Sequence, residues 1–247
     1  MIIASNVGSI SLRNNLYNTT NELKESSRKL ATGKQISKAT DNPSGLAIAQ
    51  KMKSQNSGLE QAKRNTQDAL SLLQVAEGGM KGIHNALKRM RDLAVQASNG
   101  ILQSGERQAL NEEVQDLLNQ VDNITQGTEF NGKKLLNGNY ATDGLSFQIG
   151  ANTNQKVEIK ISDMSTSNLG LSIGVDTKSN SEAAIKKIDE AINKVSSERT
   201  NLGSFQTSLS HKLNSLSTTN TNLKASEGRI ADTDMAAEKT KYVKNKI

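Results

Sequence analysis

His84 and His211 are the only imidazoles in the 247 residues, and cysteine is absent. An imidazole can act as a general base or bind a metal. Metal ligation needs further ligands at a fixed spacing, as in His-Glu-x-x-His, and neither histidine has them. No Gly-x-Gly-x-x-Gly or Walker A loop occurs. The carboxylates are scattered over helix faces, and nothing in their order sets two across a cleft. Without cysteine, disulfide frameworks, thiolate zinc sites and thiol nucleophiles are excluded. The expectation is therefore no enzyme, no metal and no cofactor. What stands out instead is LKRMRDLAVQ, residues 87–96, which sets Lys88, Arg89, Arg91 and Asp92 among apolar and small residues. The question is what a helix does with so compact a basic and apolar surface.

The elements around it are legible from periodicity. Leu59, Ala62, Thr66, Ala69, Leu73, Ala76, Met80, Ile83, Leu87, Met90, Ala94 and Ala97 alternate in steps of three and four. That 3.5-residue repeat marks a helix packed along its whole length. Asn42 before Pro43 is a good N-cap and first turn, and Asn99-Gly100 is a stop. A helix over 44–98 is predicted, roughly 80 Å long at 1.5 Å per residue. Gly78, Gly79 and Gly82 weaken it by about 1 kcal/mol each relative to Ala and mark a bend or a close approach. A second helix carries Leu110, Val114, Leu117, Val121 and Ile124, with Gly127 as its C-cap. A third opens at Ser179–Glu182 with capping-box spacing. Its seam is Ile185, Ile188, Ile192, Val195, Arg199, Leu202, Gln206, Leu209, Leu213, Leu216, Asn220 and Leu223. A shorter N-terminal helix has Leu16, Leu23 and Leu30 seven apart. Between the second and third helices the period drops to two. LSFQIG (145–150) and VEIKIS (157–162) read as a β-hairpin with Leu145, Phe147, Ile149 and Val157, Ile159, Ile161 on single faces.

Only 2% of residues are aromatic and 34% are hydrophobic. Thin helical seams need no more than this, so the fold class is mainly α: a rod of long, antiparallel, coiled-coil-like helices, with the terminal segments paired and the small hairpin at the far end. No apolar run is long enough to span a bilayer, and MIIASNVGSIS has no basic, apolar signal-peptide pattern. The formal net charge is +6, with ten Lys/Arg against four Asp/Glu up to Arg64. This excess is spread thinly and lacks aromatic interleaving, so neither nucleic-acid binding nor membrane insertion is expected.

Several stretches, in order, resemble bacterial flagellin: KLATGKQISKATDNPSGLAIAQKM (29–52), LKRMRDLAVQ (87–96), TEFNGKKLL (128–136), FQIGAN (147–152) and ASEGRIADTDMAAE (225–238). The resemblance covers nearly the whole chain. It is to the compact type that has the inner D0 domain and the D1 domain without outer variable domains. It implies a secreted structural protein of the extracellular filament, exported by the flagellar type III route and self-assembling for motility. The implied partners are other flagellin subunits, the export apparatus, an export chaperone and the filament cap. The resemblance divides the chain into an N-terminal D0 segment at 1–42, D1 at 43–178 and 179–224, and a C-terminal D0 segment at 225–247. Family members usually continue beyond the match to KNKI with a stretch rich in Gln, Ala and Leu, so the resemblance also implies an incomplete C-terminal D0 helix and puts assembly by this polypeptide in question. A hook–filament junction protein and a basic coiled-coil binding module are the alternatives.

The resemblance also answers the opening question. LKRMRDLAVQ matches the segment recognised by the host Toll-like receptor for flagellin. The receptor-contact residues it implies are Leu87, Lys88, Arg89, Arg91, Asp92, Leu93 and Gln96, with Glu113 from the second helix. Lys88 and Asp92 stand where the family often has Gln and Glu. Arg89 is the implied basic anchor, and Leu93, four residues on, its exposed apolar partner. The helix-seam residues, by contrast, are Leu73, Met80, Ile83, Leu87, Met90, Leu110, Val114, Leu117, Ile188, Ile192, Val195, Leu202, Leu209 and Leu216.

Overall fold

The computed structural model describes residues 7–247. In chain order it holds α1 (Val7–Thr32), α2 (Pro43–Ala97), α3 (Ser104–Gly127), β1 (Glu129–Phe130), β2 (Lys133–Lys134), β3 (Leu145–Gln148), β4 (Lys156–Ile159), α4 (Thr166–Leu169), α5 (Lys178–Ala231) and α6 (Met235–Lys246). The fold is mainly α with two small antiparallel strand pairs. Two compact units are present: residues up to Glu60 together with Ser217–Ile247, and Gln61–Leu216. They divide inside α2, after Glu60, and inside α5, before Ser217.

In the first unit α1 packs on α6. The contact is centred on a buried polar pair, in which Ser26 Oγ donates to Glu238 Oε1 at 2.7 Å. Beside it the two linkers are zipped together. Gln35 N donates to Ala231 O at 2.8 Å, and Thr233 N donates to Gly33 O at 3.0 Å. Gly33 has φ +67°, a conformation that a side chain at this position would strain. Asp41 holds the linker in shape by accepting from both terminal nitrogens of Arg28 and from the backbone of Ser37 and Lys38. Those bonds, those to the Ser37 amide first, keep its carboxyl well below the usual range. Asn42 then caps α2 as expected, its Oδ1 accepting from Gly45 N at 2.9 Å. The heptad of α1 is covered over only part of its length. Leu23 and Leu30 are half-buried, whereas Leu16 is 69% exposed. Toward its N-terminus α1 leaves Val7, Ile10, Leu12, Leu16 and Tyr17 open.

In the second unit every α2 seam residue from Ala62 to Ala97 is buried. On α5 burial recurs every seven residues at Ile188, Val195, Leu202 and Leu209, and again at Leu216, while Ile185, Ile192 and Leu213 are half-buried between them. On α3, Val114, Leu118, Val121 and Thr125 are buried and Leu110, Leu117 and Ile124 half-buried, so its inner face is turned slightly from the expected one. α2 also carries a second stripe of heptad spacing: Leu72, Gly79, Ala86 and Leu93. Leu72, Ala86 and Leu93 are buried. A Cβ on Gly79 would stand 2.5 Å from Thr128 Oγ1, and one on Gly82 3.3 Å from Ile124 Cδ1. These two glycines therefore mark close approach of α3 and the chain following it, and at Gly78 there is open space.

Two expected caps are corrected. Gly127 is the last helical residue of α3 and has no left-handed φ; Thr128, in an extended conformation, is the C-cap. α5 starts at Lys178, with Thr177 ahead of it: its Oγ1 accepts from Asn180 N at 3.2 Å and its carbonyl from Ser181 N. The hairpin register pairs Leu145 with Ile159 and Phe147 with Val157, and β4 ends before Ile161, which is buried all the same. This hairpin lies alongside the 65–72 stretch of α2, where Asn65 Nδ2 donates to Gln148 O at 2.9 Å.

Candidate interaction site

The 87–96 segment lies on α2 with two helices packed against it, and this decides which side chains reach solvent. Leu87, Met90 and Ala94 form part of the primary seam, and Leu93 belongs to the second stripe. Lys88, Arg89, Arg91, Asp92, Val95 and Gln96 are left on the surface. The exposed Arg89–Leu93 pair expected from the i,i+4 spacing is not formed. Leu93 is 1% exposed and Leu87 0%, because the residues three, four and seven away from Leu93, namely Met90, Ala97 and Ala86, are themselves turned inward. Neither leucine offers a surface contact.

Arg89 does have its acidic partner. Its Nε and Nη2 reach Oε1 of Glu113 on α3 at 2.9 and 2.6 Å, with the two side chains 56% and 44% exposed. Arg91, on another side, meets Asp189 of α5 at 2.7 Å. That hydrogen bond, with the attraction between the two charges, pushes the Arg91 pKa further up, so it is a fixed positive charge. Both pairs lie open to solvent and contribute no more than about 1 kcal/mol each to folding. Their value lies in presenting oriented charge. Sequence reading missed Asp189, since no local spacing links residues so far apart in the chain.

A third pair, Arg199 with Glu77 at 2.8 Å, is half-buried beside His84. Burial pushes the His84 pKa down, and the charges of Arg199 and Lys88 push it the same way. The imidazole is thus uncharged near neutrality. His211 is exposed on α5. No group of three or more metal-ligating side chains occurs among the described residues.

The loop after α2 turns at Asn99 and is fastened by Arg107, which donates to the carbonyls of Ala97 and Asn99 at 3.0 and 2.9 Å. This leaves Ile101 82% exposed at its tip. In the same unit, α2 and the two hairpins enclose a groove of about 460 Å³ floored by Leu72, Phe130 and Phe147. The β1–β2 turn at its rim is Asn131-Gly132, with φ +50° and +71°, the dipeptide a two-residue hairpin requires.

Long helices joined by heptad packing, with charged and apolar surfaces, define a mainly α, coiled-coil-like class of protein. Similarities to known proteins agree. The family model for the bacterial flagellin N-terminal helical region matches residues 3–141, and that for the C-terminal helical region matches 185–247. Flagellin of Bacillus subtilis (strain 168) is 38% identical, over all of this chain and 92% of the relative. Bacillus cereus flagellin is similar in structure, with a TM-score of 0.57 and 34% identity over 62% of this chain and 88% of that one. A chain described as a flagellar hook-associated protein of Vibrio parahaemolyticus, 15% identical with a TM-score of 0.66 over 78% of this chain and all of that one, shares the fold alone.

The chain belongs to the bacterial flagellin family. It is a structural subunit of the flagellar filament that self-assembles with its own kind, and not an enzyme.

Proposed function

We propose that this subunit is exported through the flagellar type III route, joins the filament through faces left open in the single chain, and presents the Arg89–Glu113 surface to the host Toll-like receptor for flagellin. Export apparatus, chaperone and filament cap are the partners that family membership supplies. The assembly part rests on the uncovered N-terminal half of α1, where Val7, Leu12, Leu16 and Tyr17 are each about 70% exposed. An isolated chain gains nothing by leaving so much apolar surface in water, and neighbouring subunits would cover it.

The receptor part is carried by one observation: Arg89 and Glu113 are exposed, oriented by each other, and flanked by exposed Lys88, Asp92 and Gln96. Arginine held by a partner carboxylate is a frequent interface anchor. Leu87 and Leu93 drop out of the contact set as buried residues. Binding of the receptor ectodomain to immobilised subunit tests this reading. Arg89→Ala should weaken binding at least tenfold with unchanged helicity; equal binding by Arg89→Ala and parent would refute it.

A further inference from the structure

Asparagine stands before glycine three times in the chain: Asn99-Gly100, Asn131-Gly132 and Asn137-Gly138. This dipeptide carries a chemistry of its own. With no side chain in the way, the glycine backbone nitrogen, once deprotonated, can reach the asparagine Cγ. The three sites share that chemistry and differ in their surroundings. Asn99 is held from both ends. Its Oδ1 accepts from Ile101 N at 3.3 Å, and its carbonyl accepts from Arg107 Nη2 at 2.9 Å and from Leu102 N. Asn137 is half-buried, and its Oδ1 accepts from Asn139 N at 3.3 Å. Gly138 packs on Asp163: a Cβ there would stand 2.9 Å from Asp163 Cβ and 3.4 Å from its Oδ2. A carboxylate so near opposes loss of the glycine amide proton.

Asn131 has none of these restraints. It and Gly132 are exposed, and its side-chain amide has no hydrogen-bond partner among the described residues. Nothing lies within 4 Å of the place a Gly132 Cβ would take. Lys133, the next residue, is exposed and in no ion pair among the described residues, so its charge favours a deprotonated Gly132 nitrogen. Asn131 must leave its turn conformation, with φ +50°, for the nitrogen and Cγ to meet. β1 and β2 have two residues each, so little resists that local opening.

We propose that Asn131 is a site of spontaneous deamidation that reacts ahead of Asn99 and Asn137. The Gly132 nitrogen gives up its proton and attacks Asn131 Cγ. The N–Cγ bond forms, the Cγ–Nδ2 bond breaks, and Nδ2 leaves with a proton as ammonia. Water then opens the succinimide ring at one of its two carbonyls, leaving aspartate or isoaspartate. Either product sets a new carboxylate at the rim of the groove floored by Phe130 and Phe147. Isoaspartate also adds a methylene to the backbone of a two-residue turn, which the pairing of Phe130 with Lys133 does not accommodate.

Trypsin separates the three sites. Cleavage after Arg91, Arg107, Lys133, Lys134 and Lys156 releases them in peptides 92–107, 108–133 and 135–156. The purified subunit is kept at mildly alkaline pH, sampled at intervals, digested and analysed by mass spectrometry. The expected result is the mass gain of an amide-to-acid change in peptide 108–133, assigned to Asn131 by fragmentation. It should accumulate at least about threefold faster than at Asn99 or Asn137. The same peptide should become a substrate for an isoaspartyl methyltransferase. No conversion at Asn131, or equal or faster conversion at either other site, would overturn the proposal. In concentrated urea the fold no longer distinguishes the sites, and the three rates should converge. A lead for Asn131 of the same size in urea would refute the structural argument.

Discussion

Gly78 and Gly79 are adjacent, both within α2, and should respond to alanine in opposite directions. In a helix interior Ala is favoured over Gly by about 1 kcal/mol. A Cβ on Gly78 meets nothing within 4 Å, so Gly78→Ala should stabilise the fold by roughly 0.5–1 kcal/mol. A Cβ on Gly79 would lie 2.5 Å from Thr128 Oγ1 and 2.9 Å from Leu136 Cδ1. Neither neighbour yields easily. Thr128 Oγ1 donates to Ile124 O at 2.7 Å, and Leu136 is fully buried. Overpacking of this kind costs about 1–3 kcal/mol, which cancels or exceeds the helix gain. The two variants should therefore differ by about 1–3 kcal/mol, at about 2–4 °C per kcal/mol for a protein of this size. Thermal and urea unfolding followed by circular dichroism would measure it. If Gly79→Ala melted at or above Gly78→Ala, the claim that α3 and its following loop press on α2 at this point would be wrong.

Leu93→Ala should destabilise the protein by about 2–5 kcal/mol in denaturant titration, as a buried leucine does, whereas Arg89→Ala should change stability by under about 1 kcal/mol. Asn42→Ala removes the α2 cap and should cost about 1 kcal/mol in the same assay. Asp41, held below its ordinary range when folded, contributes stability above the unfolded value of 3.8 that is lost as pH falls through and below it. Asp41→Asn should flatten that acid limb of the melting-temperature profile. His84 has its folded pKa below 6.5, so the unfolded chain takes up the proton first and stability falls as pH drops through 6.5; His84→Gln should reduce that slope.

The primary seam of α2 was legible because its apolar residues recur in strict steps of three and four, and each is buried. The second stripe was not. Gly79 and Ala86 contribute little hydrophobicity, so periodicity did not separate their face from solvent, and Leu93 was placed on the surface with Arg89. Residues 163–175 show no periodic signal, yet Met164, Leu169, Leu171 and Val175 are core residues delivered by an irregular path. That path is held by side chains distant in sequence, such as Asp122 accepting from Thr166 and Asn111 from Val175. The β1–β2 turn was available to sequence reading through Asn131-Gly132, but its two-residue strands are too short to show alternation. Of the proposed recognition surface, the basic residues and Glu113 could be named from the resemblance. Which of their neighbours face water depended on how many helices pack against α2, and sequence does not state that number.

The central claim, that this chain is a filament subunit, is tested most directly by electron microscopy of the purified protein incubated with sheared flagellar filament seeds. Filaments that lengthen with added protein, carrying it along their new segments, are the predicted result. Seeds of unchanged length beside a folded, monomeric supernatant would contradict it.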